Sequence, residues 1–378
     1  VSVMLAAGSS AIVAIKMGEG KDREANEKFS LIFLLSLALG VLFIAVGILF
    51  LEEICGFLGA TPLLMGYCQD YLRILIFATP VAFLGVLFEY FIRVDGRPGF
   101  TLCLYVAGGV VHIIGDYVFI VSFDMGIRGA AWASFAGLTT TFLMGVGYFL
   151  FCETRLKFVR PPWDGKYVVH TMVNGSSEMV SECSAGVMTF IFNLLALRLA
   201  GEDAVATVSI VLNVHYLMIS THLGYITGVA PLISYYYGAE DYNKVKVFLR
   251  YSRNFIVVSS LTLTVLCFLD SSLFARIYEE PGTAVFSMAE NGVLWISPAF
   301  LFTGINVFAS GFFTAYGNGK ISAVISLSRA MVMVAAGALV LSHFFGLNGL
   351  WMSLTFAEVA TLGLTFWLFR RYRKVYHY

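Results

Sequence analysis

Long apolar runs constrain this chain more than any other feature of its sequence. Ten runs each hold about 20 mostly apolar residues, the length that an α-helix needs to cross the hydrocarbon core of a bilayer. A shorter eleventh run covers residues 3–15. The ten predicted spans are residues 29–51, 70–92, 99–122, 129–152, 173–198, 204–229, 250–270, 291–316, 321–343 and 348–370. We therefore predict an all-α polytopic membrane protein.

The composition excludes the common soluble classes. Hydrophobic residues make up 59% of the 378 residues and charged residues only 13%, whereas an average soluble domain has about 25% charged residues. The net charge is zero, so no basic field favours nucleic acid as a partner. The six cysteines form no C-x-x-C pair and are predicted to pack as small apolar side chains, without a metal site.

Motifs for enzymatic chemistry are missing from the sequence. There is no phosphate-binding Gly-x-x-x-x-Gly-Lys-Ser/Thr loop, no H-E-x-x-H and no G-x-S-x-G. We expect no cofactor, no ATP and no catalytic residue, so any energy that the protein uses would come from an ion gradient.

The basic residues predict the orientation in the membrane. Nineteen of the 24 Lys and Arg residues lie in alternate loops and in the C-terminal tail, and four lie in the opposite loops. Because basic residues concentrate on the cytoplasmic side, we predict a multi-pass membrane protein with a cytoplasmic C-terminus. The basic loops and tail are residues 16–28, 93–97, 155–166, 244–253, Lys320 and 370–374.

Glycines recur at a constant offset and indicate a duplicated helical unit. The pairs are Gly8 and Gly228, Gly18 and Gly238, Gly126 and Gly346, and Gly129 and Gly349, each 220 apart, and Gly96 and Gly317, 221 apart. Equivalent loops carry the same charge bias, so the repeat is predicted to be parallel. Packing symmetry alone could produce such a repeat, but two bundles flanking a substrate path are favoured.

The repeat also divides the chain. It predicts a first lobe over residues 1–158, a cytoplasmic linker over 159–171 and a second lobe over 172–378. Applying the offset to the start of the second copy places about 49 residues before Val1, room for one more helix. We therefore expect two six-helix lobes, of which the first is truncated at its N-terminus.

The sixth predicted helix carries a polar stripe. Two glutamates one turn apart, Glu178 and Glu182, repel each other when both are ionised, which favours a shared proton or a bound monovalent cation. The alternative is that Glu178, nearer the cytoplasmic mouth, is merely the better solvated of the two. The stripe consists of Asn174, Glu178, Glu182, Ala185, Thr189 and Asn193, which share one helix face that must meet water or another helix.

Other ionisable residues inside the predicted spans are candidates by default. His112 and Asp116, one turn apart in the fourth helix, could exchange protons or form a structural hydrogen bond. Arg329 and Glu358 are predicted to form a structural ion pair, because an unpaired charge there would be costly. The histidines of the seventh helix, His215 and His222, are predicted to pack or form hydrogen bonds.

Several motifs together resemble the multidrug and toxic compound extrusion (MATE) family, in its bacterial MepA-like branch. The resemblance covers the whole chain, and it depends on the order and spacing of these motifs. They are MGEGKDREANEKFS, LGATPLLMGYCQDYLRI, RVDGRPGFT, GDYVFI, MGIRGAAWAS, NGSSEMVSECSAG and PLISYYYGAEDYNKVK.

The resemblance implies a secondary antiporter that expels organic cations in exchange for H⁺ or Na⁺ and has two six-helix lobes around a central cavity. It also implies a monomer in the bacterial inner membrane, whose partners are small organic cations and the lipid bilayer. Family members commonly have Asn and Asp in the fourth helix, where Asp116 matches and His112 departs. Family members also have an acidic residue in the ninth helix. The nearest acidic residue in this chain is Glu290.

Two other functions compete with the antiporter. A flippase for lipid-linked sugars belongs to the same broad superfamily, but it tends to line its cavity with several basic residues, and here Arg329 alone is intramembrane. A channel would not need paired lobes with carboxylates on helix faces, and a membrane enzyme would need a catalytic constellation that is not seen.

Overall fold

The computed structural model describes residues 1–376, so the last two residues of the predicted second lobe lie outside the described part. The chain forms two compact units, Val1–Met172 and the chain from Val173 onward. Both units are built from helices, as predicted from the apolar runs.

The first unit contains seven helices and the start of an eighth. They are α1 (Ser2–Gly18), α2 (Asp22–Leu49), α3 (Leu51–Phe57), α4 (Met65–Phe77), α5 (Thr79–Val94), α6 (Pro98–Asp116), α7 (Gly126–Phe151) and α8 (Gly165–Ala200). A π-helical turn over Tyr117–Ser122 extends α6. Aromatic rings fill the core, where Phe29 lies 4.8 Å from Phe91 and 5.0 Å from Phe149 between ring centroids.

The second unit continues from α8 through seven more helices. They are α9 (Glu202–Gly238), α10 (Tyr242–Leu269), α11 (Ser271–Arg276), α12 (Ala284–Ile296), α13 (Phe300–Ala315), α14 (Gly319–Leu327) and α15 (Met333–Tyr376). A 3₁₀ turn joins α12 to α13, and a π-helical turn over Ser328–Val332 joins α14 to α15. Trp351, Phe192 and Phe300 are fully buried in its core.

Eight helices of the described residues are long and apolar enough to cross a membrane. A ninth span is the pair α4 and α5, which is bent by 52°; α5 begins with Thr79 and Pro80, which suit a helix start. The run Gly319–Tyr376 breaks at Gly346, where φ is +58°, and so separates into the two spans predicted there. The short α1 matches the partial run at residues 3–15.

The duplication predicted from the glycines is confirmed element by element. Helix α2 and helix α10 start and end 220 residues apart, and α1 and α9 end 220 apart. The turn before α7 and the break in α15 use equivalent glycines, Gly126 and Gly346, with φ of +56° and +58°. A left-handed backbone conformation favours glycine, which is why the same residue type stands at both positions.

Helix α8 begins inside the predicted linker. The carboxylate of Asp164 accepts a hydrogen bond from the backbone N–H of Tyr167 at 3.0 Å, which is the geometry of a helix N-cap. Residues 165–171 are therefore helical rather than part of a linker, and the irregular segment ends at Asp164. The apolar pattern does not reveal this start, because the first turns of α8 are not strongly apolar.

The irregular segment between α7 and α8 is fixed to the first unit by side chains that accept from its backbone. Asp95 accepts from the backbone N–H groups of Arg155 and Leu156 at 2.7 and 3.2 Å. Asn26 and Ser30 accept two more such bonds, at 2.8 and 2.9 Å. This replaces the backbone pairing that a helix would have supplied.

Candidate functional site

The polar stripe of α8 lies beside the packed face of that helix. Asn174, at the N-terminal end of the stripe, is fully buried, and its Nδ2 donates to the carbonyl oxygen of Thr314 at 3.1 Å. Further along, the stripe becomes exposed at Glu182, Ala185 and Thr189. The packed face consists of Ser177, Ser184, Met188, Phe192 and Ala196. The stripe thus begins in the protein core and opens to the surface of the second unit.

The two glutamates differ in their surroundings. Glu178 is half-buried, whereas Glu182 is exposed, so the expectation that Glu178 is the better solvated of the two is wrong. Ser177, next to Glu178, is fully buried, and its hydroxyl lies 3.3 Å from the hydroxyl of Thr314. This contact packs that part of α8 against α13. Arg329 is close enough to act electrostatically on Glu178.

The C-terminal part of the stripe, at Thr189 and Asn193, offers one free acceptor. The Thr189 hydroxyl donates to the carbonyl oxygen of Ala185 in its own helix at 2.9 Å. Asn193 is half-buried, and its buried Oδ1 accepts no hydrogen bond from the described residues. A buried amide oxygen without a donor is costly, so this atom is suited to accept a hydrogen bond from a ligand.

Arg329 and Glu358 form an ion pair inside the second unit. Nη1 of Arg329 lies 3.2 Å from Oε1 of Glu358, and the exposed fractions of the two side chains are 11% and 4%. The structure thus brings together the two residues for which the sequence predicted a structural pair. Arg329 lies in the π-helical turn Ser328–Val332, and such turns often occur at functional sites.

Asn306 completes this network from α13. Its Nδ2 donates to Oε2 of Glu358 at 2.7 Å, and its Oδ1 accepts from the hydroxyl of Thr365 at 2.8 Å. Both Asn306 and Thr365 are fully buried. Each oxygen of the Glu358 carboxylate therefore has a donor, as a buried charge requires.

The two histidines of α9 lie in the same region. Nε2 of His222 is 3.2 Å from the hydroxyls of both Ser259 and Ser260 on α10. The ring of His215 packs against Phe300, with 5.8 Å between centroids. Hydrogen bonding and packing are the roles that the sequence predicted for these residues.

His112 and Asp116 lie together at the C-terminal end of α6. Nε2 of His112 is 3.6 Å from Oδ2 of Asp116 and 3.2 Å from the Ser134 hydroxyl. The exposed fractions of the His112 and Asp116 side chains are 45% and 41%. Both side chains of this pair are therefore accessible at the surface of the first unit.

A buried cluster in the first unit includes Glu89, which is not among the predicted site residues. Glu89 on α5 is 7% exposed, and its Oε2 accepts a hydrogen bond from the Tyr105 hydroxyl at 2.6 Å. Nη2 of Arg93 donates in turn to the Tyr105 oxygen at 3.3 Å.

The comparisons with known proteins agree with this architecture. The sequence model of the MatE family matches residues 1–118 and 179–340, more than half of the chain. The chain belongs to the MatE family. The resemblance that its motifs indicated is therefore confirmed. As a member of a family of membrane transporters, this MatE protein is a multi-pass membrane transporter and not an enzyme.

Two relatives illustrate the similarity of this MatE protein to known sequences. The multidrug export protein MepA of Staphylococcus saprophyticus is 26% identical over 326 residues, which cover 85% of this chain and 71% of that protein. MepA of Staphylococcus aureus strain NCTC 8325 is 24% identical over 342 residues, with the same shares covered.

Solved structures share the fold of this MatE protein. A multidrug resistance MATE family transporter in an outward-facing conformation superimposes with a TM-score of 0.93 at 19% identity, over 100% of this chain and 85% of that one. A transporter from Pyrococcus furiosus, described as having a binding pocket of reversed polarity that suggests a different function, gives 0.92 at 19% identity with the same coverage. At this identity the likeness shows the fold alone.

The structure places the predicted residues of this MatE protein in separate groups. Glu178 and Glu182 lie on α8 of the second unit, and His112 and Asp116 pair in the first. Among residues 1–376, no three His, Cys, Asp or Glu side chains come close enough to hold a metal ion. Glu89 could have been found in the sequence, because it is the one carboxylate in the interior of the span predicted over residues 70–92.

Proposed function

We propose that this MatE protein is a secondary active antiporter that exports organic cations, including drugs, in exchange for H⁺ or Na⁺. The observation that carries the proposal is the pair Glu178 and Glu182, two carboxylates one turn apart on a membrane-spanning helix, one half-buried and one exposed. The printed names of its relatives, multidrug export proteins of staphylococci, support drugs as the substrate class.

The glutamate pair provides a simple exchange mechanism. An organic cation bound at Glu182 and a proton or Na⁺ bound by the same pair would neutralise the same charge. Occupancy by one therefore disfavours the other, which is the coupling that antiport requires. Arg329 acts electrostatically on Glu178, although its own charge is compensated by Glu358 at 3.2 Å.

Neighbouring polar groups would orient the substrate. The free Oδ1 of Asn193 can accept a hydrogen bond from an ammonium group, and it lies on the same stripe as Glu182. We assign Asn174 a supporting role, because its amide already holds α8 against Thr314.

The protein would lie in the bacterial cytoplasmic membrane with its basic loops and C-terminus in the cytoplasm. Nineteen of the 24 basic residues are on that side in this arrangement. The exposed apolar side chains of α6, such as Leu102 at 64% and Ile113 at 71%, are suited to contact lipid tails.

A flippase for anionic lipid-linked sugars is less well supported. Such a substrate would need free positive charge inside the membrane, whereas the guanidinium of Arg329 is already bound to Glu358 at 3.2 Å. The glutamates of α8 would repel an anionic headgroup.

Efflux of ethidium from cells that express the protein tests the proposal. We expect efflux to stop when an uncoupler collapses the proton gradient, or when Na⁺ is removed, and these two arms distinguish the coupling ions. The exposed loop carboxylate Glu280 provides a control, since Glu280→Gln should transport normally. Efflux that persists with both gradients collapsed would refute the proposal.

A further inference from the structure

Glu89 is a buried carboxylate that the proposed antiport mechanism does not use. It lies in the interior of α5, five residues before the helix ends at Val94, and it is 7% exposed. Burying an ionised carboxylate in a membrane-spanning helix costs several kcal/mol. A residue of this kind therefore needs either a compensating cation or a means of becoming neutral.

No cation forms an ion pair with Glu89 within the described part of the chain. The groups that act on its carboxylate are the Tyr105 hydroxyl from α6 and the charge of Arg93 from its own helix. The neighbouring helices α1, α2 and α7 bring no charged side chain to it among residues 1–376. Glu358 in the second unit differs, because Arg329 contacts it at 3.2 Å.

Tyr105 links the buried carboxylate to the surface of the first unit. Its hydroxyl donates to Glu89 at 2.6 Å, and its oxygen accepts from Arg93 at 3.3 Å. Tyr105 itself is 53% exposed. Arg93 holds the phenol in place through Nη2. Its Nη1 is buried and has no hydrogen-bond partner in the described residues.

The second unit repeats this arrangement without any charge. Equivalent positions are 221 residues apart, and two hydrogen bonds recur with the same spacing. The hydroxyls of Thr101 and Ser322 donate to the backbone carbonyls of Glu89 and Ser310, and Glu89 bonds Tyr105 as Ser310 bonds Ser326. Ser310 lies 2.8 Å from both Ser322 and Ser326, and Thr314 donates to Ser322 at 2.8 Å. The equivalent pairs are Glu89 and Ser310, Arg93 and Thr314, Thr101 and Ser322, and Tyr105 and Ser326.

Comparison of the two copies of the repeat shows whether packing requires the charges of Glu89 and Arg93. In the second unit, the equivalent contact between α13 and α14 is made by serine and threonine side chains. The fold therefore does not require a carboxylate, a guanidinium or a phenol at these positions. Their presence in the first unit, despite the cost of burial, indicates a role that depends on a titratable group.

We propose that Glu89 is a proton-binding site of the first unit, reached through Tyr105. The carboxylate takes a proton from a hydronium ion or buffer acid, and water or the buffer base is released. The new carboxyl O–H donates to the Tyr105 oxygen, and the phenol proton turns outward. Arg93 keeps its hydrogen bond to that oxygen in both states. This site is additional to the glutamate pair of α8 and does not depend on it.

Difference infrared spectroscopy tests this site directly. The purified protein in liposomes is compared between alkaline and acidic pH, in a Glu178→Gln/Glu182→Gln background that removes the carboxyl signals of α8. We expect a protonated carboxyl C=O band that is lost in Glu89→Gln and retained in the matched control Ser310→Ala, which alters the equivalent site in the second unit.

A second variant keeps the test informative if Glu89→Gln does not fold. Tyr105→Phe retains the carboxylate but removes its hydrogen-bond partner, so the same band should shift in frequency. A band that is unchanged in either variant overturns the proposal. Because the readout is protonation rather than efflux, loss of this band and failure of the antiport proposal can be told apart.

Discussion

The guanidinium of Arg329 lies 3.2 Å from the carboxylate of Glu358 within the second unit, and the exposed fractions of the two side chains are 11% and 4%. Asn306 donates to the other carboxylate oxygen at 2.7 Å. The charge of each partner is thus compensated by the other, and the pair can be tested as a unit.

We predict that removing one partner of this pair is far more harmful than removing both. Arg329→Gln leaves the Glu358 carboxylate buried without a cation and should lower the free energy of unfolding by about 3–5 kcal/mol. The double variant Arg329→Gln/Glu358→Gln should recover most of that loss. Thermal unfolding of the purified proteins measures the difference, and equal losses in the single and double variants would contradict a structural pair.

We predict that Glu182→Gln abolishes gradient-driven efflux while the protein stays in the membrane. The amide keeps the shape of the side chain and removes only its ionisable oxygen. Glu178→Gln should weaken efflux as well, because Glu178 is half-buried beside Arg329 and is not simply solvated. Ethidium efflux at matched expression is the measurement. Normal efflux by both variants, with loss in Asp116→Asn, would place coupling in the first unit.

Asp95 should be important for the segment between α7 and α8. Its carboxylate accepts from the backbone N–H groups of Arg155 and Leu156 and from the Tyr148 hydroxyl. Asp95→Ala leaves three donors without their acceptor and should cost about 1–3 kcal/mol. Limited proteolysis should then cut the segment faster. Asp70→Ala, which breaks an exposed ion pair with Arg128, is the control and should leave the cleavage rate unchanged.

The N-cap of α8 should make stability depend on acidic pH. The hydrogen bond from the Tyr167 backbone N–H, together with Lys28, lowers the pKa of Asp164 from its ordinary value of 3.8. Because the folded pKa is depressed, this contribution is complete above the unfolded value and is lost as pH falls through the folded value. The difference in melting temperature between the parent and Asp164→Ala should therefore shrink below about pH 4. A difference that stays constant down to pH 2 would contradict this role.

The predicted orientation can be checked by cysteine labelling. In a cysteine-free background, Arg23→Cys and Arg371→Cys should react with an impermeant maleimide only after the cells are permeabilised, because both lie in the predicted cytoplasmic set. Arg276→Cys, from the opposite set of loops, should react in intact cells. The reverse pattern would invert the topology.

The apolar runs and the glycine offset were enough to predict the spans and the duplication, because hydrophobic length and φ > 0 positions are local properties of the chain. The repeat glycines Gly126 and Gly346 show this, since both have the left-handed backbone that their residue type allows. The pairing of Arg329 with Glu358 could also be inferred, because two isolated charges in apolar spans need each other.

Tertiary structure alone decided the environment of each polar group. The partner of Glu89 is Tyr105, sixteen residues away on another helix, and no periodicity within α5 specifies it. The burial of Glu178 and the exposure of Glu182 likewise follow from how α8 packs at Ser177, and not from their order along the helix. Sequence determined where the chain crosses the membrane, while the packing of one helix on another determined which carboxylates are buried, because burial depends on neighbours that are distant in the chain.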